Sequence, residues 1–391
     1  MENVLPKYYK PVAGISDPVI DVEHWEKAMD AFDEKRYKEA AVEVLNYINS
    51  DIMKEVDTSG DIDITAHQGS AEIQIHIDDK IFRIKAPFLQ LTDRSNTVAL
   101  LRKIAEINFS AMTLAQIYKR DSNLCFEYEM PIELAQPNKV YDLLWEVSVH
   151  ADKYDDVLIN NFGASFIAEP QKTALTAEEQ EEALRQIKAV FTDFEQIMSY
   201  LVEKRLETYK WELSALTLLK LSNMPYINGQ WRTDLIDEIS QIFNGDISFE
   251  YRADRAVQYI KKLLKNPLDE LLKDIYQAPQ FISLRWRSTE DIIADRLKNY
   301  TQTVEKNKKG ERYMHQYYYL KIIFHKLIYD YNLEKNYLDA IQDTLVSVND
   351  KDYEEAAPVL EDLYFKMLHK ELVKKEEKPE KKGGFFSNLF H

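Results

Sequence analysis

Between about Asp61 and Ala168 the chain carries a strand-forming island inside an otherwise helical sequence. Ile62, Ile64 and Ala66 alternate with polar residues, and Gln68-Gly69-Ser70 then breaks the run. Ala71, Ile73, Ile75 and Ile77 alternate again with Glu72, Gln74 and His76. Asp78-Asp79-Lys80 makes a second turn before a third strand over Ile81 to Lys85. Apolar residues at a period of two, joined by short polar turns, predict an antiparallel meander with one face in the core and one in water.

The rest of the island is mixed. Thr97 to Asn108 reads as a helix with Val98, Leu101, Ile104 and Ala105 on its apolar side. Two strands follow, Ala111 to Tyr118 and Leu124 to Met130. In the second, Leu124, Phe126, Tyr128 and Met130 face opposite to Glu127 and Glu129. Val140, Leu143, Leu144, Val147, Ala151, Tyr154 and Leu158 form one stripe of a long helix, with Gly163 as its C-cap.

Helical pattern flanks the island on both sides. Asp21 is the expected N-cap of a helix carrying Trp25, Ala28 and Phe32, and a break near Asp33 to Arg36 starts a second helix. Ala28-x-x-x-Phe32 with Tyr37-x-x-Ala40 looks like part of a tetratricopeptide unit, and Tyr353-Glu354-Glu355-Ala356-Ala357 echoes it. Two echoes make no array, and small alanines at helix crossings account for both. Thr176-Ala177-Glu178-Glu179 fits a capping box. Beyond it, breaks at Asn223 to Gly229, Asn244 to Asp246, Asn266-Pro267, Ala278-Pro279 and Asn307 to Gly310 predict six or seven helices. The expected division is an irregular lead-in over 1–20, an α+β domain over 21–168 and a linker over 169–175. A helical domain over 176–373, a mixed-charge linker over 374–384 and an apolar hook over 385–391 complete it.

Charge and motif content narrow the function classes. A net charge of −17 opposes nucleic-acid binding, which needs concentrated basic surface. Cys125 is the single cysteine, so neither an intramolecular disulfide nor a cysteine-rich zinc site is expected. Its neighbours Glu127 and Glu129 raise a thiol pKa, which argues against a nucleophile. No apolar run reaches the ~20 residues of a membrane span, and Met1-Glu2-Asn3-Val4 does not begin a secretory signal. A cytoplasmic location is expected. The nine glycines form neither a phosphate-binding nor a dinucleotide-binding loop. The histidines lack metal-ligand spacing. Asp57-Thr58-Ser59-Gly60-Asp61-Ile62-Asp63 misplaces the glycine of a calcium loop and reads as a polar turn. No catalytic, cofactor-binding or metal-ligating residue is assigned.

Three features bear on partners. Tyr313, Tyr317, Leu320, Phe324, Leu327 and Tyr331 recur at helical spacing and read as a bundle core. Arg285-Trp286-Arg287 reads as a snorkelling pair beside a buried tryptophan. Phe385, Phe386, Leu389 and Phe390 share one face of a two-turn helix and are the candidate partner-binding residues. Burying four such side chains yields ~6–12 kcal/mol. Ordering about seven residues costs ~10 kcal/mol, so the hook alone binds weakly. Its own body, a partner protein and a membrane surface are the three candidate docking places.

The order helix, three strands, helix, two strands, helix between Tyr37 and Ala164 resembles the type III secretion chaperone-like fold, including the YbjN-like group. The likeness is carried by Leu100-Leu101-Arg102-Lys103-Ile104-Ala105-Glu106-Ile107-Asn108, by Asn123 to Glu129, and by Tyr141 to Trp145 with Asp152 to Asp156. It covers about a third of the chain. The resemblance implies a non-enzymatic bacterial protein that binds extended polypeptides or other proteins, often as a homodimer. The expected function is therefore a chaperone- or adaptor-like module holding a polypeptide partner, without a cofactor. One alternative is a helical assembly scaffold whose island dimerises. Another is an enzyme with an unrecognised site, a reading that a buried carboxylate cluster in a deep pocket would strengthen.

Overall fold

The computed structural model describes residues 5–12, 17–18, 20–54, 56–266 and 268–372. The candidate hook residues Phe385, Phe386, Leu389 and Phe390 lie outside them. The fold is α+β, an antiparallel sheet with many helices. Two helices come first, α1 (Glu23–Asp33) and α2 (Tyr37–Met53), then β1 (Ile62–Gln68), β2 (Ala71–Ile77) and β3 (Ile81–Gln90). Next are α3 (Thr97–Ser110), β4 (Gln116–Arg120), β5 (Asn123–Pro131), α4 (Pro137–Phe162) and β6 (Ser165–Phe166). The chain continues through α5 (Ala177–Glu203), α6 (Lys210–Ser222), α7 (Gly229–Phe243), α8 (Phe249–Leu263) and α9 (Leu268–Leu272). It ends with β7 (Trp286–Arg287), α10 (Glu290–Lys298), α11 (Thr301–Lys309), α12 (Tyr313–Asp330), β8 (Tyr331–Asn332), α13 (Lys335–Ser347) and α14 (Tyr353–Leu368). Ten helices, α5 to α14, thus occupy the region expected to hold six or seven. The additional breaks fall where no proline or glycine marks them, such as Arg205 at φ 58°.

Two compact units result. One runs to Arg287 and takes in Lys321–Asn332, and the other holds Ser288–Leu320 and the chain from Leu333 onward. Among the described residues no helix is long and apolar enough to cross a membrane.

In the first unit the sheet runs β1-β2-β3-β5-β4, all antiparallel, with β6 added beside β3. The predicted alternation sets the register: Ile62, Ile64 and Ala66 are buried, and so are Ile73, Ile75 and Ile77. These side chains pack with Val140, Leu143, Leu144, Val147 and Ala151 of α4 in one core. Gly163 closes α4 with a left-handed φ of 73°, as its position predicts. Thr176 and Glu179 form the capping box of α5. Helix α6 is buried almost all round, from Leu213 to Ser222, so it is the centre of the helical part of this unit. Its Lys220 lies 3.6 Å from Asp193 of α5, and burial pushes the ammonium down to about 8.

Three local expectations are corrected. The fourth strand is not Ala111 to Tyr118 but begins at Gln116. The buried Glu146 carboxylate of α4 accepts the backbone N–H groups of Thr113, Leu114 and Ala115 and the Thr113 hydroxyl, which holds that stretch as a loop. Helix α3 buries Leu100, Ile104 and Ile107, whereas Val98 and Leu101 are exposed. Burying Leu100 turns the stripe by about a hundred degrees, since each residue advances a helix by that angle. Trp286 is exposed, not buried. The buried member is Arg285, whose guanidinium is 3.2 Å from Asp17.

In the second unit, Tyr317 and Tyr318 of α12 pack edge to face, and Tyr317 meets Tyr353 at 5.3 Å between ring centres. Tyr364 of α14 donates to the Leu297 carbonyl at 2.6 Å. Ala356 and Ala357 are buried on α14, as are Ala40 and Ala41 on α2 in the other unit. Each echoed alanine pair is therefore a helix-packing position.

Candidate functional site

The two outer strands of the island sheet differ. Beside β4, the Asn108 carboxamide of α3 accepts from the Ile117 N–H at 2.8 Å and donates to the Ile117 carbonyl at 3.0 Å. That side chain occupies the place a further strand would need. Beside β1 no such group stands: among the described residues its outer backbone edge makes no hydrogen bond. The β1–β2 turn contains two residues, Gly69 and Ser70. In such a hairpin the closing pair, Gln68 and Ala71, exchanges both backbone bonds, and pairs alternate from there. Asp63, Thr65 and His67 therefore direct their N–H and C=O groups away from β2.

The surroundings of this edge are acidic, with exposed Asp57, Asp61 and Asp63. The sheet's wet face beside it is internally paired. His76 lies 2.8 Å from Asp63, and hydrogen bonding to that carboxylate raises the imidazole pKa. Across the sheet, Arg120 pairs with Glu127 at 2.7 Å and holds its pKa below the usual carboxylate range. Cys125 is buried, and desolvation first, then Glu127, pushes its thiol up to about 12. It stays protonated at neutral pH.

A second site lies within the same unit, where the β1–β2 turn and α4 meet the start of α7 and the 273–284 segment. The segment is locked to the island. Gln68 Oε1 accepts from the N–H groups of Phe281 and Ile282 at 2.9 and 3.0 Å. Asn49 donates to the Phe281 carbonyl, and Gly69 N–H donates to Pro279. Phe281 and Ile282 join the island's hydrophobic core. Between these pieces is a cavity of about 450 Å³.

Five aspartates line the cavity, Asp152, Asp155, Asp156, Asp237 and Asp274. Asp152, Asp155 and Asp156 come from one face of α4, at spacings of three and four. Asp152 accepts the Ser70 N–H at 3.0 Å, and Asp155 accepts the Ser70 hydroxyl. Asp274 accepts the Trp231 N–H at the start of α7, at 3.0 Å. Two glycines permit these approaches. A Cβ on Gly69 would stand 2.7 Å from Asp152 Oδ2 and closer still to Oδ1, and one on Gly229 would stand 3.0 Å from Asp274 Cγ. Burial raises the pKa of Asp152, Asp155, Asp156 and Asp274, and Asp155, with Asp152 beside it, reaches about 8. Lys172 stacks its ammonium 4.4 Å above the Tyr276 ring. Arg232 of α7 also faces the cavity, and its charge lowers the pKa of Asp152.

None of these cavity residues was singled out as a site from the sequence. The one available signal was the Asp152–Asp156 cluster on the polar flank of an amphipathic helix. No known protein family matches the chain, and no curated protein matches it.

Proposed function

We propose that the chain is a non-catalytic, chaperone- or adaptor-like protein that holds an extended polypeptide by adding it to the sheet beside β1. One observation carries this reading: β4 is capped by Asn108 while the β1 edge is open. An unpaired row of N–H and C=O groups is a template for a further strand, and natural edges are normally blunted. The resemblance to type III secretion chaperone-like proteins points the same way. Acidic residues around the edge favour a peptide with basic residues alternating with apolar ones. Each backbone bond contributes about 0.5–1.5 kcal/mol net, so a short strand binds weakly without further anchorage. The apolar C-terminal hook supplies that anchorage by avidity. The cytoplasm is the proposed place of action.

The test uses a fluorescein-labelled peptide of alternating isoleucine and lysine, read by anisotropy on the full chain. Thr65→Pro removes one outward N–H and leaves the β2 side of the strand intact. The reading expects binding by the native chain and at least tenfold weaker binding by this variant, a ratio worth about 1.4 kcal/mol. Equal binding by both proteins sinks it. A helical scaffold whose island only dimerises predicts instead a dimer in sedimentation that binds no peptide.

The carboxylate cavity favours a second reading, an enzyme. A protonated Asp155 on a cavity wall is placed as a general acid would be. A screen of esters, glycosides and phosphates that found turnover abolished in Asp155→Asn would place this reading first.

A further inference from the structure

We propose that the cavity between α4 and α7 binds a small zwitterion of amino-acid or dipeptide size, with its ammonium on the α4 aspartates and its carboxylate on Arg232. Three observations combine. The volume of about 450 Å³ lies in the range of small-molecule sites, roughly 300–1,000 Å³. The walls carry charges of both signs: five aspartates, three of them on α4, and the cations Lys153, Lys172, Lys273 and Arg232, the last on α7. Arg232 is the independent one of the three. Its guanidinium has no hydrogen-bond or ion-pair partner among the described residues, although it lies close enough to Asp152 to act on its charge. Lys153, Lys172 and Lys273 also line the cavity, and Lys172 is already engaged by the Tyr276 ring. A free planar fork of donors on a cavity wall matches a carboxylate, which it holds through two parallel bonds.

The same geometry excludes neighbouring ligand classes. Among the described residues no three acidic or histidine side chains converge to hold a metal ion, so the aspartates suit the spread-out donors of an ammonium. A purely cationic ligand leaves Arg232 unpaired and adds a like charge beside it. A purely anionic ligand meets five aspartates. Only a molecule with both ends satisfies both walls. This site is separate from the β1 edge, and neither proposal depends on the other.

The experiment is a thermal-shift panel on the full chain. The probes are free leucine, glutamate, arginine and glycyl-leucine, with putrescine as an amine-only and propionate as a carboxylate-only control. At ten times Kd a zwitterion that fits should raise Tm by roughly 2–4 °C. Neither control should do so. Asp152→Asn keeps an acceptor for the Ser70 N–H, and because both variants, this one and Arg232→Gln, alter the charge balance around Asp152 and Asp155, each ligand shift is read against that variant's own ligand-free Tm. The zwitterion's shift should vanish in each. No shift with any zwitterion, an equal shift with putrescine, or a shift that survives Arg232→Gln would each overturn the assignment.

Discussion

Replacing Gly69 by alanine tests the turn that joins the β1 edge to the carboxylate cavity. Gly69 has φ 55°, where an L-residue costs about 1–2 kcal/mol. The new Cβ would also overlap the Asp152 carboxylate, at 2.7 Å from Oδ2 and nearer to the other two atoms. Asp152 must swing away and give up the Ser70 N–H, which it accepts at 3.0 Å. A buried amide left unpaired costs about 1–3 kcal/mol. The two contributions sum to about 2–5 kcal/mol. Urea unfolding followed by circular dichroism reads the loss. The decisive control repeats Gly69→Ala in an Asp152→Ala background, where no carboxylate is struck. There the substitution should cost only the backbone part, leaving a coupling energy of about 1–3 kcal/mol. A cost equal in both backgrounds would refute the contact between turn and carboxylate.

Three further outcomes are expected. Asp155 has a folded pKa of about 8 against an ordinary 3.8, so between those values the folded state keeps a proton that the unfolded state has lost. Stability from this group therefore falls as pH rises, by up to about 1.4 kcal/mol per unit. Asp155→Asn should gain on the native chain by about 2.6 kcal/mol between about pH 5 and about pH 7 in urea titrations, and parallel pH profiles would count against it. Asn108→Ala uncaps β4, and hydrogen exchange at the Ile117 amide should speed up by at least about tenfold while core amides of β3 stay protected. Glu146→Gln places an amide N–H₂ among donors, and the loss of charge-assisted bonds to Thr113, Leu114 and Ala115 should cost about 2–4 kcal/mol in chemical unfolding.

Local features were legible from the sequence because their causes are local. Alternating isoleucines place β1 and β2 in register, Gly163 stops α4, and Thr176 with Glu179 starts α5. Two of the misreadings share a different cause, a partner far along the chain. Residues 112–115 look like strand until Glu146 collects three of their N–H groups from a helix formed later. Arg285 looks exposed until Asp17, 268 residues earlier, takes its guanidinium. The cavity is the extreme case. Asp152, Asp155 and Asp156 are readable as one helix face, but Arg232 and Asp274 reach them only through tertiary structure.

The same long-range dependence gives the island an energetic boundary beyond its own sequence. Gln68 binds the backbone of Phe281 and Ile282, 213 and 214 residues away, and both side chains are 1–2% exposed in the island core. Fully burying a side chain of that size contributes about 1.5–3 kcal/mol, so the pair accounts for about 3–6 kcal/mol. A domain's whole stability is about 5–15 kcal/mol. A fragment of residues 21–168, the span suggested by strand pattern alone, should therefore lose a large part of its stability and expose apolar surface where the 279–282 segment had been. Adding a peptide of residues 277–285 in trans should recover part of the loss, seen as a rise in Tm and a fall in dye binding. A fragment as stable as the full chain, indifferent to that peptide, would show that the strand pattern by itself defines the folding unit.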